Sequence, residues 1–361
     1  MAAPGGLPAF IKGKDESAFI VHEPVEPEAE LKRFRMGASL ITPYELFYLR
    51  NNLVPRGVAS RSDYRLRVEG VRRPGRLSLA DLERLPRVVV PALLQCAGNG
   101  RAFHPHNPDG SPWQVGAAGL GFWGGVLVRE VAKLVGGPLD SARFLTTRGS
   151  EDSANIDRVE RSIPRGKALR DCLLALELNG APIPLAQGGP VRLIVPGYYA
   201  INSVKYPRSL AFTARESQAP IMTEKYRIAP VGQAQRPSQP TCWAMNVKSW
   251  TTSPLTRDRV SAGPVEVLGV AFAGEDVVRR VEVTTDGGAT WSNAELIGPD
   301  LGTAAWRQFR FRFRARSGKE YTIASRATAA NGASQPEQTR PNEGGYKSNG
   351  WREPAVRLRV G

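Results

Sequence analysis

The sequence predicts an α+β mixed domain followed by an all-β sandwich of immunoglobulin size. Three observations carry this reading. Helix-like and strand-like stretches alternate irregularly through the first part of the chain, which favours an α+β arrangement over a regular parallel one. Residues 228–240 hold three prolines and three glutamines, a linker composition. Beyond them the texture changes to short strands separated by turns. At roughly 100–200 residues per domain, the 361 residues divide into an N-terminal arm (1–34), a mixed domain (35–235) and a β-sandwich (236–361).

Residues 1–34 are polar, with Pro24, Pro27 and several acids, and read as an extended arm. Thr42 to Leu53 is apolar and aromatic. Tyr64 to Gly70 alternates as a strand does. Ser78 is placed to cap a short helix. Val88 to Gln95 reads as a buried strand running into the small-residue loop Cys96-Ala97-Gly98-Asn99-Gly100. Trp123 to Val135 predicts a helix, because Val126, Leu127, Glu130, Val131 and Leu134 fall at helical spacing and Gly136-Gly137-Pro138 follows. Phe144 to Thr147 predicts a strand, Ser162 to Leu169 a short helix, and Leu173 to Leu178 a strand that turns at Asn179-Gly180. Val191 to Val195 is another, ended by Pro196-Gly197. In the last part, Val265–Ala273, Val277–Thr285, Trp306–Ala315 and Tyr321–Thr328 read as strands, with a hairpin turn at Asp286-Gly287-Gly288. The alternation Phe309-Arg310-Phe311-Arg312-Phe313-Arg314 puts rings on the core side and guanidiniums toward water or a partner.

Composition narrows the function. The formal net charge is +15, which attracts anions and polyanions. A solvated arginine-rich surface explains it equally well. Three cysteines (Cys96, Cys172, Cys242) are too few and too odd for a disulfide framework, and three histidines (His22, His104, His106) show no zinc or haem spacing. No haem is therefore expected, and electrons from any redox step must leave to an external acceptor. No apolar stretch reaches the 18 or more residues of a membrane helix, so no membrane partner is expected. The N-terminus has neither a basic n-region nor a twin-arginine motif. As it stands the chain is expected in the cytoplasm, or in the periplasm had an export signal been trimmed.

The chemistry concentrates at Leu94-Gln95-Cys96-Ala97-Gly98-Asn99-Gly100-Arg101. A buried strand delivers a thiol onto a loop with almost no side chains, which allows close approach of a bulky group. Arg101 is expected to lower the thiol pKa and attract an anion. A lone cysteine is ordinarily an inert core residue; here the surrounding pattern argues otherwise. The string resembles the Q-C-A-G-N-x-R loop of sulfite oxidases and eukaryotic nitrate reductases.

That resemblance implies a molybdenum–molybdopterin cofactor whose metal takes Cys96 as its one protein ligand. Phe47 to Asn52 resembles the family's F-x-x-R-N-H segment, which puts Arg50 near the metal and Asn52 in place of a histidine. Asn52 can hydrogen-bond but not titrate. Pro190 to Gly197 resembles P-x-R-x-x-x-P-G. By resemblance Arg192 and Lys205 grip the pterin phosphate beside Ser203 and Val204, with Gln187 replacing a histidine and Glu151 also among the cofactor contacts. Without the resemblance, Arg50 reads as a helix-end arginine and Lys205 as solvated. Trp113 either walls the substrate pocket or packs in the core.

Two positions depart from the family. Val159 stands where an active-site tyrosine precedes Ser162-Ile163-Pro164, and Gly344 stands where an arginine closes the anion pocket. Arg148, Arg158, Arg161 and Lys347 are candidates to compensate. The resemblance runs from about residue 40 to the end. It implies catalysis by Cys96, Arg50 and Arg101 on a sulfite-like anion in a basic pocket, oxygen-atom transfer to give sulfate, and an external acceptor such as cytochrome c. It also implies a homodimer built through the C-terminal domain. The alternatives are a reductase of nitrate or of an S- or N-oxide on the same cofactor, a cofactor-binding protein without turnover, and a basic nucleic-acid-binding protein. Against the last, no recognised reader motif is present.

Overall fold

The computed structural model describes residues 11–23, 27–51, 58–150, 159–256 and 258–361. Its elements are mostly strands, with four short α-helices. Strands β1 (Phe19–Glu23), β2 (Glu28–Leu31) and β3 (Leu49–Arg50) form a small antiparallel sheet. This replaces the expected extended arm for the described residues before 35. The reason is Glu30: its carboxylate is 1% exposed. It accepts the backbone N–H groups of Gln114 and Gly116 at 3.0 and 2.9 Å and pairs with His22 at 3.0 Å. An acidic residue that sequence reading assigns to solvent thus serves as a backbone clamp.

Strands β4 (Arg65–Glu69) and β5 (Gly75–Ser78) lead into helix α1 (Leu79–Glu83). Ser78 Oγ accepts from Asp81 N while Asp81 accepts from Ser78 N, a reciprocal cap of the kind that stabilises a helix start by about 1 kcal/mol. Strand β6 (Arg87–Gln95) carries Cys96 at its end. It pairs along its whole length with β7 (Ala118–Leu127).

Strand β7 corrects the expected helix over 123–135. Residues 118–127 lie between β6 and β10 (Leu173–Leu178), and helix α2 begins only at Val128 and ends at Leu134. A strand buried on both faces shows no alternation, so the helical spacing downstream read backwards into it. Strand β8 (Phe144–Gly149) pairs with β9 (Glu160–Pro164). Here too a helix was expected, over 162–169. Pro164 disfavours helical backbone at Ile163, and the helix, α3 (Arg165–Asp171), starts after it. Strands β11 (Ala181–Pro182) and β12 (Arg192–Ile194) both pair with β10. Strand β13 (Pro207–Thr213) sits centrally in the sheet β5-β4-β13-β8-β9, parallel to β4 and antiparallel to β8. Helix α4 (Pro220–Thr223) follows.

The 228–240 stretch is a closed excursion rather than a straight tether. Ile228 N bonds Pro240 O at 2.8 Å and Cys242 N bonds Tyr226 O at 2.9 Å, so its two ends are pinned together. After it come two four-stranded sheets. One has the order β14 (Lys248–Ser253), β15 (Gly263–Phe272), β19 (Arg307–Ala315), β18 (Glu295–Ile297). The other runs β17 (Ser292–Asn293), β16 (Val278–Thr284), β20 (Glu320–Ala329), β21 (Val356–Arg359). Val267, Val281, Phe309, Ile323 and Leu358 fill the space between them. The expected α+β domain and immunoglobulin-like sandwich are both present. On β19, Phe309 is fully buried, and Arg310 and Arg312 pair outward with Glu295 and Glu266 at 2.9 and 2.8 Å.

The sandwich packs on the mixed domain. Trp306 Nε1 donates to Leu40 O at 2.8 Å, Gln308 Nε2 to Gly37 O at 2.6 Å, and Arg33 Nε to Thr251 O at 2.6 Å. Lys248 Nζ reaches Asn99 O at 2.8 Å, and Lys347 N reaches Ala97 O at 2.9 Å. The loop carrying Cys96 is therefore held at two points by the C-terminal part of the chain. Among the described residues no helix is long and apolar enough to cross a membrane.

Candidate active site

The loop after β6 is stitched by Asn99. Its Nδ2 donates to Gln95 Oε1 at 3.1 Å and its Oδ1 accepts from Ala117 N at 3.1 Å. Cys96 N bonds Ala117 O at 2.9 Å. A side chain at Gly98 would run into the Arg101 guanidinium, with a Cβ only 2.6 Å from Nη2. Those contacts explain the small residues: the loop folds flat over a guanidinium and leaves the thiol at its edge, 9% exposed.

The thiol opens on a cavity lined by Tyr48, Arg50, Val159, Arg192, Lys205 and Tyr226, among others. Gln187, Ser203 and Val204 line it as well. Three distant stretches, at 48–50, 187–192 and 200–205, thus converge on Cys96. Arg192 is 4% exposed. Its Nε donates to Ser203 O at 3.2 Å and its Nη1 to Gln187 O at 2.8 Å, and its guanidinium lies 5.6 Å from the Trp123 ring centroid. Gln187 Nε2 is fixed on Tyr48 O at 2.9 Å. Lys205 Nζ donates to Arg50 O at 3.1 Å, to Ala186 O at 2.6 Å and to Asn51 Oδ1. With three acceptors already met, Lys205 offers an anion its charge rather than a vacant N–H.

A second, larger cleft of about 820 Å³ adjoins the first and contains Arg101. Arg101 Nε donates to Gly344 O at 3.1 Å and Nη1 to Ser111 O at 3.0 Å, with the guanidinium 5.5 Å from the Tyr346 ring. Arg50 faces both cavities and is ion-paired with Glu28 at 2.7 Å. The expectation of a basic pocket holds only for the inner cavity. Among the described residues its lining has Arg50, Arg192 and Lys205 and no carboxylate. The outer cleft sets Glu28, Asp109, Glu224 and Glu343 against Arg50, Arg101 and Lys225.

The thiol also departs from expectation. Burial raises its pKa, and this outweighs the lowering by Arg101 and Arg50. A bound metal reverses that balance, because a coordinated thiol loses its proton outright. Cys172 and Cys242 are buried with thiols pushed up by desolvation, Cys242 to about 12. They are inert core residues.

Of the remaining candidates, Asn52, Glu151 and Arg158 lie outside the described residues. Trp113 is fully buried and meets His22 edge-on at 4.9 Å, away from both cavities, so it is a core residue. Arg148 pairs with Glu160 at 3.8 Å, Arg161 donates to Ile221 O at 2.6 Å, and Lys347 lies over Tyr199. None of these three lines either cavity. Val159 does line the inner one. At Gly344 an added Cβ would be driven into the ring of Tyr346, so that ring occupies the space a longer side chain would need. Tyr48, Tyr226 and Tyr346 escape sequence reading. Tyr48 sits inside the Phe47 to Asn52 segment and Tyr346 two residues after Gly344, whereas Tyr226 lies in a polar stretch with no motif to mark it.

The inner cavity fits a phosphorylated pterin. Its cations suit a buried phosphate, and the Cys96 thiol on the same lining offers a metal one ligand. Among the described residues no cluster of three or more His, Cys, Asp or Glu could hold a metal; a metal held in a pterin brings its other ligands with it.

Comparison with known proteins agrees. Residues 52–221 match the oxidoreductase molybdopterin binding domain and residues 239–358 the Mo-co oxidoreductase dimerisation domain. The chain is 34% identical to sulfite oxidase of Gallus gallus over 349 residues, covering 90% of this chain and 74% of that protein. It is 31% identical to mitochondrial sulfite oxidase of Homo sapiens, covering 90% of this chain and 62% of the human one. The solved structure of the sulfane dehydrogenase SoxCD from Paracoccus pantotrophus superimposes with a TM-score of 0.82 at 26% identity, covering 99% of this chain and 93% of that one. The chain belongs to the sulfite oxidase family of molybdopterin-dependent oxidoreductases.

Proposed function

We propose that the protein oxidises sulfite to sulfate and passes the electrons to an external acceptor such as a cytochrome c. The observation that supports this best is the convergence of Cys96, Arg50, Gln187, Arg192, Ser203, Val204 and Lys205 on one cavity. Arg192 and Lys205, with Gln187, Ser203 and Val204 beside them, hold the phosphate end of the cofactor. Cys96 ligates the metal. When bound, the molybdenum–pterin group supplies two-electron oxygen-atom transfer chemistry. The chain supplies orientation and potential: Arg50 and Arg101 attract the anion, and the apolar walls at Val159 and Ile201 shed water from it. Overall, sulfite and water become sulfate, two protons and two electrons. The C-terminal sandwich is proposed to pair two such subunits.

A second reading, a bulkier sulfane-type sulfur anion as substrate, is favoured by the wide mixed-charge cleft and by Val159 in the inner wall. The SoxCD relative is named a sulfane dehydrogenase. Purification from a pterin-competent host, metal analysis and dye-linked assays separate the readings. Sulfite-dependent reduction of cytochrome c or ferricyanide at one molybdenum per chain is expected. Turnover with thiosulfate but not sulfite would replace the first reading with the second. Nitrate-dependent oxidation of a reduced dye without sulfite turnover would reverse the direction.

A further inference from the structure

Among the described residues the inner cavity and the outer cleft share Arg50 and Tyr226. That guanidinium and that ring therefore stand at the boundary between the cleft and the cavity that holds the Cys96 sulfur. Arg50 already has a carboxylate partner in Glu28, so much of its charge is spent locally. The position from which a phenol would be expected to reach the anion holds Val159, whose side chain lines the same cavity and has no polar atom. A donor is therefore missing at 159, and a phenol stands across the same space at 226.

The setting of Tyr226 is built. Its φ is +57°, a conformation that bulky residues adopt only where the surroundings enforce it. The enforcement is visible. Tyr226 O accepts from Cys242 N at 2.9 Å, and Arg227 N is taken by Gln235 Oε1 at 2.8 Å. The ring stacks on Tyr346 with centroids 5.1 Å apart and 23° between planes, and the Arg161 guanidinium lies 5.4 Å from it. Tyr346 is in turn the ring that fills the space at Gly344. Both departures from the family pattern thus meet in one aromatic pair. Within the described residues the Tyr226 hydroxyl has no hydrogen-bond partner, and it is not among the sealed polar atoms.

We propose that Tyr226 Oη donates a hydrogen bond to the substrate anion at the boundary between the two cavities, supplying from residue 226 the phenol that is missing at 159. The proposal rests on the sulfur-anion reading above and identifies the residue that sets its affinity. Tyr226→Phe keeps the stacked ring and removes only the hydroxyl. On the molybdenum-loaded holoenzyme it raises the KM for sulfite about 10–100-fold, the usual worth of a hydrogen bond to a charged group. kcat changes far less. Calorimetric titration with sulfate, the anionic product, shows a similar fall in affinity, while molybdenum content and Tm stay at wild-type values. Unchanged KM and unchanged sulfate affinity overturn the proposal, as does a wild-type holoenzyme that binds no sulfate. Wild-type sulfate binding that weakens in Tyr226→Phe, without sulfite turnover in either protein, keeps the anion contact and refutes the reaction assignment instead.

Discussion

Replacing Arg192 with methionine should release the cofactor and leave the fold. The side chain is buried, with Nε on Ser203 O and Nη1 on Gln187 O. Arg50 and Lys205 line the same cavity, so among the described residues three like charges share it. In the cofactor-free protein these cations repel one another, and removing one offsets part of the loss of two carbonyl partners. With the phosphate bound the sign is one-directional. Each charge-assisted bond contributes about 1.5–3 kcal/mol. Loss of one or two, partly made good by Lys205, weakens binding by about 2–4 kcal/mol, or roughly 30- to 1000-fold. Molybdenum per chain after gel filtration, and its release rate on dilution, read this directly. Arg192→Lys keeps a point charge without the planar fork and should fall between. Full molybdenum retention in Arg192→Met, at the wild-type release rate, would show that the cavity's cations do not hold the phosphate.

Other consequences can be measured independently. Arg101→Met should raise the KM for sulfite about 10–100-fold and leave molybdenum content unchanged, because Arg101 faces the outer cleft and not the inner cavity; loss of molybdenum would contradict that division. Asn99→Ala strands Ala117 N and Gln95 Oε1 and should destabilise the protein by about 1–3 kcal/mol, seen as a lower Tm; an unchanged Tm would mean the loop is not held by that side chain. Lys248 is buried on Asn99 O, and desolvation lowers its pKa from 10.5 to about 7. Between those values the unfolded chain binds more protons than the folded one, so this residue makes stability rise with pH from about 7 toward 10.5, and its contribution is lowest below 7. Differential scanning should show a Tm that climbs from pH 7 to 9 in the wild type and climbs less in Lys248→Met. Equal slopes would exclude Lys248 as the source.

Legibility followed the kind of signal each residue carried. The Cys96 loop could be read because its small residues are demanded by packing: Gly98 lies against the Arg101 guanidinium. Strands β10, β15, β16 and β20 were visible as bounded apolar runs. Strand β7 was not, because a centre strand flanked by β6 and β10 has no polar face to mark its period. The strands before residue 35 are not legible in the sequence, because their charged residues suggest exposure whereas Glu30 binds backbone N–H groups in the interior. The cofactor-binding residues were legible one segment at a time through their motifs. The outer cleft was not, since the signs of its charges depend on which loops meet there. Tyr226 shows the limit most clearly. What marks it is its backbone angle, its stacking on Tyr346 and its place on two cavities, and none of these is local in sequence.

The account turns on the bond between Cys96 Sγ and molybdenum. X-ray absorption at the molybdenum edge, on wild type and on Cys96→Ser loaded in the same host, counts the sulfur neighbours of the metal. One sulfur fewer in the variant, with sulfite turnover lost and the Tm retained, is the predicted result. An identical sulfur shell in the two proteins would contradict it.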